Sequence, residues 1–162
     1  MSRLSIKNLT RHRVPRLPYA SAARAVLPGW ELSLVFVGSA RARSLNRKLR
    51  GKDYVPNVLS YQAGQRSGEI IICMSEAAIQ APEYGMRRGV FILYLFIHGL
   101  LHLKGVAHGA TMERRERALV ARLVASPSKL ARLSTTHGQE THRYRHRHRD
   151  IPGQAGRRRR SR

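Results

Sequence analysis

Apolar and polar positions keep a readable rhythm over the first 124 residues and lose it afterwards. Leu4 to Leu9 sets Leu4 and Ile6 against polar neighbours, the period of two that predicts a strand. Tyr19 to Leu27 is Ala-rich and helical by propensity, and Pro28-Gly29 stops it. Glu31 to Val37 (ELSLVFV) predicts a second strand. Ser39 is placed to cap a helix running to about Leu49, with Ala42, Leu45 and Leu49 on one face and basic residues on the other. Gly51 to Pro56 reads as loop and Asn57 to Tyr61 as a short strand at a sheet edge. Gln62 to Gly68 reads as polar loop, and Glu69 to Cys73 (EIIIC) as a strongly apolar strand. Ser75 opens a helix over Glu76 to about Tyr84, and Gly85 separates it from a long helix ending at Gly105. Thr111 is placed to cap a last helix, Met112 to Val124, whose Glu113 and Glu116 lie in its first turn and favour the helix dipole.

The apolar run from Val90 to Leu103 is the longest in the chain. It falls short of the ~20 residues a membrane span needs and carries two histidines, so it predicts a buried core helix. Beyond Ala125 the pattern changes. Residues 125–162 hold 11 Lys and Arg, 2 acids and 4 of the 8 histidines, with no apolar period and an unbroken basic run from Arg157 to Arg160. Such a segment cannot pack a core, and the expectation is a disordered His/Arg-rich tail behind a folded domain of residues 1–124. It is either a solvated tail or a nucleic-acid-binding arm.

Candidate chemistry concentrates at the end of the long helix. His98, His102 and His108 stand in the pattern H-x-x-x-H-x-x-G-x-x-H. Residues four apart share a helix face, so His98 and His102 can point at one centre. Gly105 can end the helix in a left-handed conformation, turning the chain so that His108 adds a third ligand. Three such ligands plus water suit a catalytic zinc, one ion per chain. Zinc peptidases of the same spacing place a glutamate general base after the first histidine. Here that residue is Gly99. Three neutral imidazoles also leave the full charge on the metal, which suits an anionic substrate such as a phosphodiester.

Charge bears on the partner. The chain carries 31 Lys and Arg against 9 Asp and Glu, a net of +22 with a pI near 11.7, which points to a polyanion and first of all to nucleic acid. The tail is not the whole source, since residues 1–124 hold 20 basic and 7 acidic residues. Anionic membrane is disfavoured, as no predicted helix cleanly joins a basic face to an apolar one. Cys73 is the one cysteine, which fits a reducing cytosol, and Met1 to Arg16 lacks the apolar run of a signal peptide. The expected location is cytoplasmic.

A second block completes the pattern. It comprises Leu45-Asn46, Arg50, Asp53 and Asn57-Val58-Leu59-Ser60, followed by Gly68-Glu69-Ile70 and then by His98-Gly99-Leu100-Leu101-His102-Leu103-Lys104-Gly105. In this order the residues closely resemble the YbeY family of bacterial rRNA maturation endoribonucleases, over about residues 4 to 124. The chain departs from the family pattern at Pro56, where threonine is usual, and at Val106-Ala107, where an aromatic residue and aspartate precede the last histidine. The resemblance implies an α+β fold, a small mixed β-sheet packed with about five helices, with the metal site on the long helix and following turn. It implies single-strand RNA cleavage, small-subunit rRNA 3′ end maturation and ribosome quality control, with rRNA and the ribosomal small subunit as partners. It also makes Arg50 the catalytic arginine, a role its permanent charge and planar fork suit. The nucleophile stays open between a water that zinc acidifies toward about 7 and a ribose 2′-hydroxyl. A non-catalytic zinc-containing ribosome-assembly or RNA-binding factor is the alternative reading, and a metallopeptidase a weaker one. Oligomeric state is not legible in the sequence.

Overall fold

A computed structural model describes residues 2–125. The expectation of a disordered tail falls on residues 126–162 and lies outside them. The described chain runs β1 (Arg3–Asn8), α1 (Tyr19–Val26), β2 (Glu31–Val37), α2 (Ser39–Arg50), β3 (Val58–Gly64), β4 (Ser67–Cys73), α3 (Met74–Gln80), a 3-10 turn (Ala81–Tyr84), α4 (Arg88–Leu103) and α5 (Ala110–Val124). Four strands form one mixed sheet in the order β1-β2-β4-β3. β1 and β4 run parallel to β2, and β3 runs antiparallel to β4 at the edge, as its short half-polar sequence suggests. The fold is α+β, with five α-helices around the sheet.

Strand alternation divides the sheet into two unequal faces. Leu32, Leu34 and Phe36 of β2 join Ile70 and Ile72 of β4 in the main core, under α1 and α4. The intervening Val35, Val37, Ile71 and Cys73 form a small second cluster with Leu59 and Ala42, under α2. α4 is the central helix. Every residue from Phe91 to Ile97 is buried, together with Gly99, Leu100 and Leu101, which accounts for its near-continuous apolar sequence. No single helix among the described residues is long and apolar enough to cross a membrane.

Two glycines let α4 lie close on β4. A Cβ on Gly99 would come within 3.0 Å of Ile70 Cγ2, and one on Gly68 within 2.7 Å of Leu103 Cδ1. Gly99 is therefore a packing position turned toward the sheet.

Several local expectations shift. Gln62 to Gly68 is mostly strand, because β3 extends to Gly64 and β4 starts at Ser67, making a tight hairpin around Arg66 with φ +56°. Cross-strand bonding overrides the polar sequence there, and the Tyr61 hydroxyl donates to Glu69 Oε1 at 2.6 Å. Ser39 and Thr111 lie inside their helices, behind Gly38 and Gly109 as N-caps. The Ser39 hydroxyl pairs instead with that of Ser75 at 2.6 Å. α3 stops at Gln80 and tightens into the 3-10 turn around Pro82, whose ring cannot continue an α-helix.

Candidate metal centre

The three histidines meet where α4 ends. His98 and His102 lie one turn apart on the face of α4 that leaves the core, and their Nε2 atoms are 3.0 Å apart. Gly105, at φ +83°, breaks the helix. Val106 N–H donates to the Leu101 carbonyl at 3.0 Å and Gly105 N–H to that of His102 at 2.9 Å. This is the paired bonding of a Schellman turn, and the half-buried Val106 supplies its apolar contact with the core. The aliphatic residue that replaces the family's aromatic one thus retains a packing task. The turn carries His108 back over the helix end. One ring nitrogen from each of the three histidines then lies within 4.8 Å of the others.

That spacing fits a small cation. Zinc bonds imidazole at about 2.0–2.1 Å, which sets tetrahedral ligand nitrogens roughly 3.4 Å apart. One ring is also held in the protonation state a metal needs. Desolvation first, then the neighbouring His98 and His108, lower the His102 pKa to about 4, so its imidazole is neutral at pH 7. His98 Nδ1 lies 2.7 Å from Glu116 Oε1, and its Nε2 faces the shared centre.

The opposite wall comes from α2 and the loop after it. Arg50 stands exposed in the last turn of α2 and lines one cleft of about 460 Å³ with Asn57, Val58, Leu59, Ser60, His98, His102 and His108. Side-chain contacts hold the loop to α2. Arg43 Nε and an Arg47 guanidinium nitrogen donate to Asp53 Oδ1 at 2.7 and 2.6 Å. Asn46, fully buried, donates to the Tyr54 carbonyl at 3.0 Å. Arg43 and then Arg47 lower the Asp53 pKa to about 2. Asn57 Nδ2 donates to Gln80 Oε1 at 2.7 Å, and Gln80 Nε2 to Glu76 at 3.1 Å, tying the cleft floor to α3.

All four residues singled out in the sequence therefore face one cleft. The sequence pattern accounts for Glu116 through the helix dipole alone and gives no direct sign of its contact with His98. A signal existed: Met112, Glu116 and Val120 lie at four-residue spacing on the buried face of α5, so a carboxylate interrupts an apolar stripe.

The sequence model of the endoribonuclease YbeY family matches residues 4–124. The chain belongs to the YbeY family. Among curated members, the endoribonuclease YbeY of Aromatoleum aromaticum is 36% identical over 100 residues, covering 59% of this chain and 65% of that protein. That of Thiobacillus denitrificans is 35% identical over 102 residues, covering 57% and 69%. That of Bordetella pertussis is 36% identical over 119 residues, covering 67% and 76%. The chain thus spans a little under two thirds of the Aromatoleum protein and more of the other two. A solution structure from Thermotoga maritima superposes with a TM-score of 0.56 over 76% of this chain and 89% of its own. At 20% identity that likeness speaks for the fold.

Proposed function

We propose that this protein is a zinc-dependent endoribonuclease that cuts single-stranded RNA, acting in small-subunit rRNA 3′ end maturation and ribosome quality control in the cytoplasm. The observation that carries the reading is the convergence of three imidazoles and a free-standing arginine on one cleft. His98, His102 and His108 would hold the zinc. A zinc ion there would acidify a coordinated water and draw charge from a phosphate oxygen. Arg50 faces the same space from the far wall. Its guanidinium can take two phosphate oxygens at once and meet the charge that builds up as the phosphodiester is cut. Asn57 and Ser60 present hydrogen-bonding groups along the cleft floor, where a strand of RNA would lie.

The geometry weighs against the other readings. A peptidase would need a base at Gly99, and that position is packed on Ile70. A closed structural zinc would need a fourth protein ligand. Cys73, the one cysteine, is buried in the small cluster under α2, outside the cleft, with its sulfur 3.3 Å from the Ser75 hydroxyl.

The test is purified full chain on single-stranded RNA, as prepared, after chelation and after zinc is restored. Cleavage lost on chelation and regained with zinc is expected. Undiminished cleavage by metal-free protein would overturn the assignment. A 2′,3′-cyclic phosphate on the products would identify the ribose hydroxyl as nucleophile, and a 3′-hydroxyl paired with a 5′-phosphate would identify water.

A further inference from the structure

Glu116 has no part in the sequence pattern of the metal site, yet it is among the most enclosed charged groups described. It is 3% exposed, on a helix whose other deeply buried residues are Met112 and Val120. A buried carboxylate costs stability that an apolar side chain of the same size would not. Docking α5 therefore does not explain it. Its partner does: Oε1 accepts the Nδ1–H of His98 at 2.7 Å.

We propose that Glu116 is the positioning residue of the metal centre, acting through His98. The inference rests on the metal reading above. An imidazole has one N–H when neutral, and the carboxylate holds it on Nδ1. Nε2 is then left with its lone pair directed at His102 Nε2, 3.0 Å away, where a shared ion would sit. The carboxylate also makes the ring a stronger donor to a cation and offsets part of the charge that three neutral ligands leave uncompensated. It has a geometric effect besides. α5 begins at Ala110, two residues after His108, so the Glu116–His98 bond pins the far end of the segment that carries the third ligand.

Zinc affinity of the full chain, read by competition with a chromophoric chelator, tests this. Glu116→Gln keeps size and an acceptor oxygen while removing the charge, and should weaken zinc binding about tenfold. Glu116→Ala should approach ~100-fold. Val120→Ala, one turn further along the same face, should lower the melting temperature and leave zinc affinity unchanged. Long-range ¹⁵N–¹H spectra of the zinc-free wild type should show His98 protonated on Nδ1. An Nε2–H tautomer, wild-type affinity in both Glu116 variants, or an equal loss in Val120→Ala would overturn the proposal while the metal reading stands. A wild-type chain that takes up no zinc would overturn both.

Discussion

The two walls of the cleft are held by different forces. The histidine wall is built on α4, which buries ten residues against the sheet and its neighbours and anchors His98 to a buried carboxylate. The arginine wall is built on α2, which buries only Ala42 and Asn46 and holds its loop through surface ion pairs to Asp53. Close packing resists displacement, because any shift opens voids or creates overlap. Exposed ion pairs are weak and salt-screened. The positions of His98 and His102 are thus fixed by the core, whereas Arg50 is carried on a more adjustable support. That division suits the proposed function, in which the histidines hold a metal and the other wall meets the substrate.

The sharpest way to break the comparison is at the histidine wall. His102→Ala should abolish stoichiometric zinc, measured by elemental analysis, and RNA cleavage with it, because two ligands do not make a three-ligand site. Retained metal would mean that the centre lies elsewhere. Arg50→Ala should leave zinc content and melting temperature unchanged while lowering kcat by roughly 10²-fold or more, as loss of a group aimed at developing charge does. Wild-type turnover would return Arg50 to the other solvated cations. Gly99→Val should cost about 1–3 kcal/mol of stability by forcing α4 away from Ile70, read by denaturant unfolding. An unchanged midpoint would show the helix–sheet contact to be looser than described.

Asp53 gives the smallest and most discriminating effect. Its folded pKa is depressed to about 2, below the ordinary value of about 3.9. The clamp is therefore complete above pH ~4 and is lost as pH falls through about 2, so it contributes no pH dependence near neutrality. Asp53→Asn should leave zinc content intact and lower cleavage modestly, with the deficit shrinking in high salt, where the wild-type ion pairs are themselves screened. A full loss of cleavage with zinc retained would show that the arginine wall is as rigidly specified as the histidine wall.

Much of this arrangement is legible in the chain. The period-two strands, the continuous apolar run of α4 and the H-x-x-x-H-x-x-G-x-x-H spacing each reflect local geometry, and local geometry is written in neighbouring residues. The Gly105 turn and the edge position of β3 follow in the same way. The 62–68 hairpin was hidden because its strand character comes from pairing across the turn, which residue polarity does not register. The capping expectations for Ser39 and Thr111 failed because glycines one or two positions earlier take the cap.

The sequence by itself determined the three candidate ligands, the missing peptidase base and the basic character that favours a polyanion, since each depends on residue type and short spacing. Tertiary structure decided what spans the fold. It set α2 and α4 on opposite faces of one sheet and brought the end of each to the same edge, placing Arg50 opposite histidines 48 to 58 positions away. It turned Gly99 onto Ile70, and it paired Glu116 with His98 across two helices. Such contacts follow from how apolar faces are buried together, and a carboxylate's partner is fixed only once those faces have met.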